Sequence, residues 1–281
     1  MYEEFIDSQR ISTEAEYSRV YKYLDRYKAC EAGECLTYNE NIKKNKTIWV
    51  LWLQGMESAP QIVRSCYRSL NKLKPKEFDV ILLTKQNLKQ YIVLPEYITD
   101  KYHRGLISNT HLSDIIRLEL LYIYGGLWID ATVYICDQIP EFMYSGDFFA
   151  FDNSSVTAAS IIKMSTWWIY ARAANYIITK TRDMIYAYWQ QEEQLINYFL
   201  LHIAMSKVID EHSMAGNIFH SKFFYSNGNA HYLQGSLAAE YDEKKWSHIK
   251  CISPVQKLTY KRKYLLGDIS SFYVVLIQER I

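Results

Sequence analysis

The stretch SDIIRLELLYIYGGLWIDAT, Ser113 to Thr132, decides the fold. Its apolar spacing predicts a helix from about His111 to Tyr124. Gly125-Gly126 follows, and glycine just past the last helical turn is the expected stop. Leu127 to Ile135 then reads as a strand. Asp114 and Arg117 are three residues apart and share one helical face. A carboxylate beside a guanidinium can grip a sugar hydroxyl between an acceptor and a donor. A plain helix ion pair is the ordinary alternative. Asp130 falls inside the strand-like run. A carboxylate there is costly unless the strand ends at a polar site, so it points at a ligand or a metal.

Working outward, Thr13 and Glu16 form a capping box that predicts a helix start. Ile48 to Leu53 reads as a strand, Pro60 opens a helix with Ile62, Val63, Cys66 and Leu70 on one face, and Phe78 to Leu83 reads as a buried strand. Asp147 to Phe151 is a further strand, and Asp183 to about Asp210 reads as one long helix. Strands alternating with helices predict an α/β sandwich with a mostly parallel sheet. Ligands of such sheets sit beyond the carboxyl ends of the strands. Trp52, Gln54 and Gly55 therefore gain weight. An indole at a strand end can stack on a planar base or simply join the core, and Gly55 allows a close backbone approach.

Composition narrows the function classes. Lys and Arg number 32 against 31 Asp and Glu, a net charge of +1 over 281 residues. A nucleic-acid binder needs a clear positive excess, so no nucleic-acid partner is expected. The five cysteines, Cys30, Cys35, Cys66, Cys136 and Cys251, are odd in number and form no C-x-x-C pair. With an acidic N-terminus, they fit a reduced cytosolic compartment without structural zinc. No apolar run reaches spanning length, so any membrane contact is expected to be peripheral. Aromatic residues make up 15% of the chain, with 25 tyrosines. Such an excess suits a protein that handles sugars, bases or membrane interfaces, or ordinary core packing.

The order and spacing of these pieces resemble the retaining GT-A glycosyltransferases of the capsular polysaccharide synthesis type, relatives of Och1-like mannosyltransferases and of clostridial toxin-type glycosyltransferases. The shared pattern is an early strand ending in Trp, then S-D-x-x-R, then G-G-hydrophobic-aromatic-hydrophobic-D. Here it appears as Trp52, Ser113 to Arg117, and Gly125 to Asp130. Tyr198 to His202 and Lys257 to Lys261 resemble later segments of the same branch. The resemblance covers roughly residues 46–263. It implies a Rossmann-like α/β/α sandwich with a mixed, mostly parallel sheet and added helices. Residues 1–45 would form an N-terminal helical segment, and 264–281 a tail on the domain or on a membrane surface.

By the same resemblance, Trp52 stacks on the uracil of a UDP-sugar, with Gln54, Gly55, Ser113 and Gly126 in the donor site. Asp114 and Arg117 hold the hexose. Asp130 is the first Asp of a DxD motif that meets the ribose and a metal-diphosphate. The second position is Thr132, a much weaker ligand for Mg²⁺ or Mn²⁺ than a carboxylate. Asp130 is therefore expected to bind the ion directly and Thr132 through water, or the ion to take another ligand, with His231 and Gln256 as late-chain candidates. Lys257 and Lys261 would meet the pyrophosphate if their segment folds over the donor, or form a solvated basic surface. With Arg262, Lys263, Tyr260, Tyr264, Leu265 and the apolar run 272–277, they could instead rest on an anionic membrane.

Four further expectations concern the substrates. Ala150 and Asp152 would help decide galactose against glucose. Trp167, Trp168 and Glu192 would form the acceptor side. Asn197, Tyr198 and His202 would share one helix and are further candidates for the acceptor pocket. The implied activity is transfer of galactose or glucose, with an α-linkage, from its UDP form to a lipid diphosphate-linked glycan. It would take place at the inner face of a bacterial membrane, for capsular or surface polysaccharide. A UDP-sugar hydrolase, a protein-directed transferase and a non-catalytic sugar-nucleotide-binding protein are the alternatives.

Overall fold

In the computed structural model, the described residues are 2–27, 39–153, 161–211, 226–262, 264 and 270–279, with 2–12 described by backbone alone. Cys30, Cys35, Lys263 and Leu265 lie outside them. The strands are β1 (Thr47–Leu51), β2 (Asp79–Leu83), β3 (Gly126–Ile129), β4 (Val133–Ile135), β5 (Phe148–Asp152), β6 (Met164–Ala171) and β7 (Val255–Lys257). The helices are α1 (Tyr2–Tyr23), α2 (Gln61–Leu73), α3 (Glu96–His103), α4 (Asn109–Ile123), α5 (Tyr176–Gln191), α6 (Leu200–Glu211), α7 (Tyr232–Ser236), α8 (Glu243–Ile252) and α9 (Phe272–Ile277).

The main sheet runs in the order β2-β1-β3-β6-β5. β1 pairs parallel with β2 and β3, and β6 is antiparallel to both β3 and β5. Only β6 is reversed, so the sheet is mixed and mostly parallel, as expected. Alternate side chains separate two cores. Trp49, Trp128, Phe148 and Ala150 face α4, α5 and α6, while Ile48, Val50, Leu127, Phe149 and Phe151 face the opposite way, towards Leu70 of α2. β4 and β7 form a separate antiparallel ribbon, and β4 packs on α2. The result is a three-layer α/β/α arrangement.

Ser108 starts α4 by accepting from the His111 N–H at 3.2 Å. At the other end Gly125 has φ +64° and Gly126 φ +96°. A Cβ on Gly126 would lie 2.2 Å from the Thr47 carbonyl oxygen, so β3 can begin this close to β1 only with glycine. α4 and α5 are locked by Arg182, which bonds Glu119 at 2.7 Å and lies 3.1 Å from Asp183, while the Tyr186 hydroxyl donates to Glu119 at 2.5 Å.

Four expected elements change. α1 begins at Tyr2, so Thr13 lies inside a helix and not at its start. Phe78–Leu83 supplies an edge strand, and only Leu83 of β2 is fully buried. The strand expected over Leu127–Ile135 breaks at Asp130 into β3 and β4. The single helix expected over Asp183–Asp210 is two, α5 and α6, so Asn197 and Tyr198 lie in the connecting loop. Phe272, Val274 and Leu276 of the C-terminal apolar run are buried. Phe272 and Leu276 pack with Ile62, Val63 and Cys66 of α2, so this run is occupied by the protein's own core.

Candidate functional site

The parallel register of β1 and β3 builds the site. Ile48 lies opposite Leu127 and Trp49 opposite Trp128. Continued past the strand ends, this register sets Leu51 and Trp52 beside Asp130 and Ala131. A cleft of about 440 Å³ opens there, at the carboxyl ends of the strands. Trp52, Ser113, Arg117, Asp130, Thr132, His231, Lys257 and Lys261 all line it. A second hollow of about 470 Å³ shares Trp52, Thr110, Ser113 and Tyr260 and adds Gln54. Both lie within the range of roughly 300–1,000 Å³ usual for small-molecule sites.

Asp130 is the electrostatic centre. Its Oδ1 accepts from Arg117 Nη2 at 3.1 Å and from the Trp128 indole N–H at 2.9 Å. Its Oδ2 accepts from Lys257 Nζ at 2.7 Å. Burial alone would raise the Asp130 carboxyl, but the Lys257 and Arg117 charges prevail and hold it below the ordinary carboxylate value. Lys257 Nζ also donates to Thr132 Oγ1 at 2.7 Å. The ribbon delivers this lysine: Val133 pairs with Lys257, and the Leu258 N–H donates to the Thr132 carbonyl at 2.9 Å.

Behind this layer stands a second one. Asp114 is buried, with Oδ1 3.0 Å from Arg117 Nη1 and Oδ2 3.5 Å from His111 Nδ1. The His111 Nε2 accepts from the Trp189 indole at 2.7 Å, which leaves the ring proton of a neutral His111 on Nδ1, facing Asp114. The Arg117 guanidinium lies 4.8 Å over the Trp128 ring. Arg117 Nη1 meets Asp114 as an ion pair, while Trp52 Nε1 and Arg117 Nε are buried and have no hydrogen-bond partner among the described residues. A buried donor left unpaired costs about 1–3 kcal/mol, so these donors mark where a ligand oxygen would be stabilising.

His231 Nδ1 lies 2.8 Å from the Asn227 carbonyl, which places the proton of a neutral ring there. Burial lowers its pKa, the Asn227 carbonyl opposes that, and Lys257 adds to it. Lys261 is exposed at the rim, with the exposed aromatic rings of Tyr198 and Tyr260.

Other expected site residues lie elsewhere. Gly126 sits at the opposite end of β3 from Asp130 and serves the strand crossing. Gly55 has φ +82° in the turn after Trp52, and its N–H donates to the Trp52 carbonyl at 2.9 Å, outside the residues that line either hollow. Ala150 is in the core against α4–α6, and Asp152 is buried where the end of β5 meets Ser226, so neither reaches the cleft. Trp168 is fully buried and donates to the Met143 carbonyl, while Trp167 stacks on Phe151 at 4.5 Å and donates to Asn227. Both are core residues, buried in the cluster that holds Ile129, Phe149 and Phe151. Glu192 accepts from the Tyr23 and Tyr27 hydroxyls and so holds the segment after α1. His202 stands on α6 with Nε2 3.1 Å from Thr166 Oγ1, and burial lowers its pKa to about 4. Gln256 is spent on backbone groups of Leu233, Asn229 and Ser253.

Sequence reasoning missed Trp128, which lies two residues before Asp130 and on the same strand face, a signal that period-two counting could have used. It also missed the His111–Trp189 pair, which no local spacing announces.

The cation expected at Asp130 and Thr132 does not fit these residues. Both oxygens already accept from one ammonium group, and His231 Nδ1 is directed at a carbonyl. Among the described residues no three His, Cys, Asp or Glu side chains converge as a metal site would require.

Curated relatives share part of the chain. It is 27% identical over 131 residues to the O-glycosyltransferase braB of Annulohypoxylon truncatum, covering 43% of this chain and 31% of that protein. It is 30% identical over 94 residues to the glycosyltransferase afumC of Aspergillus fumigatus, covering 30% and 24%. The matched stretch therefore spans about a third or less of these relatives' length. Among solved structures, the PaToxG glycosyltransferase aligns over 97% of this chain and 95% of its own at 11% identity, with a loose TM-score of 0.43. A far wider match is to the family described as capsular polysaccharide synthesis protein, which runs over residues 2–275, and the chain belongs to that family.

Proposed function

We propose that the protein is a retaining glycosyltransferase that moves galactose or glucose from a UDP-sugar to a lipid diphosphate-linked glycan, in the synthesis of a capsular or surface polysaccharide. The observation that carries this reading is the convergence of Trp52, Arg117, Asp130 and Lys257 on one cleft at the carboxyl ends of parallel strands. The family and the names of the partial relatives point the same way.

In this reading Trp52 faces the uracil, and its unpaired indole N–H finds an acceptor in the donor. Arg117, oriented by Asp114 and Asp130, turns its guanidinium to the hexose hydroxyls, and Lys257 and Lys261 face the diphosphate. The acceptor hydroxyl attacks C1 on the face that the diphosphate leaves. The new C–O bond forms as the old one breaks, and the hydroxyl proton passes to the departing phosphate oxygen. The enzyme contributes orientation and charge stabilisation. Tyr198, Tyr260 and Lys261 at the rim suit a glycan on an anionic membrane surface. No helix among the described residues is long and apolar enough to cross a membrane.

The test is UDP release from a panel of UDP-sugars, with a lipid diphosphate-linked glycan, a protein or water as the acceptor. Release with the lipid-linked acceptor, abolished in Asp130→Ala, is the expected result. Equal release with water makes the protein a hydrolase, preference for protein redirects it, and an Asp130→Ala variant matching the parent removes the catalytic assignment.

A further inference from the structure

Resting on the UDP-sugar reading, we infer that Lys257 takes the place of the divalent cation at this site, so that donor binding and diphosphate departure need no metal. The oxygens that would ligate an ion, Asp130 Oδ2 and Thr132 Oγ1, are each 2.7 Å from Lys257 Nζ. One ammonium therefore bridges them where an ion would sit.

The charges agree with the geometry. Asp130 brings one negative charge and Thr132 none, so one ammonium balances the pair. A divalent ion entering beside that ammonium would face like-charge repulsion, with a neutral hydroxyl as its second ligand. Lys257 cannot easily be displaced by backbone movement, because its strand pairs with Val133 and the next residue bonds the Thr132 carbonyl. An ammonium has three N–H donors. Two are used, and the third has no protein partner among the described residues, on a side chain that lines the cleft. That third donor is available to a diphosphate oxygen. When the C1–O bond breaks, the negative charge gathering on the leaving diphosphate meets a fixed ammonium, held by Asp130 and Thr132 in the correct place before substrate arrives.

The experiment reads binding rather than turnover. UDP affinity is measured by calorimetry for the parent and for Lys257→Met, each in EDTA and in Mn²⁺. Protein-bound Mn²⁺ is followed separately through the loss of its free electron paramagnetic resonance signal. The parent is expected to bind UDP equally in both buffers, within about twofold, and to take up no Mn²⁺ of its own. Lys257→Met is expected to lose about tenfold or more in EDTA and to recover part of it in Mn²⁺, because Asp130 and Thr132 are then free to ligate. UDP binding by the parent that is about tenfold tighter in Mn²⁺ overturns the inference and leaves the donor reading standing. So does a Lys257→Met protein with undiminished affinity in EDTA. A parent that binds no UDP in either buffer overturns both. If Lys257→Met fails to fold, the comparison of the parent in the two buffers still decides.

Discussion

Helix α4 carries two buried carboxylate–arginine clusters, and they are built for opposite ends. Towards α5, Glu119 meets Arg182 at 2.7 and 3.3 Å and the Tyr186 hydroxyl at 2.5 Å, and Asp183 takes Arg182 Nη1 at 3.1 Å. The Arg182 guanidinium also lies 4.3 Å from the centre of the Tyr122 ring. Towards the cleft, Arg117 pairs with Asp130 through Nη2 and with Asp114 through Nη1 but keeps Nε without a partner among the described residues. The first cluster is satisfied by the protein and holds two helices together. The second is left incomplete, as a group that awaits a ligand would be. Sequence spacing alone leaves Asp114 and Arg117 either as a grip on a sugar hydroxyl or as an ordinary ion pair. The difference lies in who supplies the remaining partners.

Glu119→Ala should give the largest effect on this contrast. It removes one of the two carboxylates that meet the buried Arg182, and the acceptor of the Tyr186 hydroxyl, and is expected to cost about 3–5 kcal/mol in urea unfolding. A loss below about 1 kcal/mol would mean the α4–α5 cluster is not a lock. Arg117→Lys comes next. It keeps the charge and loses the planar fork, so UDP-sugar turnover should fall by about two orders of magnitude while the unfolding midpoint moves little. A stability loss as large as that of Glu119→Ala would dissolve the distinction between the clusters.

A smaller effect is expected from pH. The His202 pKa is lowered by burial to about 4, so the folded protein holds the ring neutral while an unfolded chain protonates it near 6.5. The resulting stability is complete above pH 6.5 and is lost as the pH falls from there through about 4. Unfolding curves for the parent and His202→Gln should converge across that window. Parallel curves would place the acid sensitivity elsewhere. The smallest effect belongs to Lys261→Ala at the exposed rim. UDP affinity should drop only about two- to fivefold and the difference should fade in high salt. A salt-independent loss would move Lys261 from rim to interior.

The legible parts of the fold were those with local causes. α4, the two glycines and β3 follow from apolar spacing and from a chain reversal that only small residues permit. The cleft residues of that unit, Ser113, Arg117 and Asp130, and Trp52 on the neighbouring strand were legible with it. What stayed hidden has distant causes. The break after α5 has no glycine or proline to announce it. Lys101 Nζ from α3 caps the helix end by donating to the Trp189 and Glu192 carbonyls at 2.6 and 2.8 Å, and the Tyr188 hydroxyl bonds Gln194 and Ile196 in the loop that follows. Likewise the aromatic pair Trp167-Trp168 looks like a sugar platform in the sequence. Only the pairing of β6 between β3 and β5 reveals that both rings are enclosed. The direction of Lys257 towards Thr132 depends on a ribbon between segments more than a hundred residues apart, which no spacing rule addresses.

That ribbon also sets an order in time. Asp130 and Lys257 are separated by 127 residues. At a ribosomal pace of about 5–20 residues per second, the carboxylate emerges roughly six to twenty-five seconds before the lysine that neutralises it. During that interval the nascent chain holds Arg117 as the nearest counter-charge and has no β7 to pair with β4. The cleft is therefore completed only when β7 is made, after every strand of the main sheet, and a chain interrupted before β7 would carry that sheet but an unfinished site.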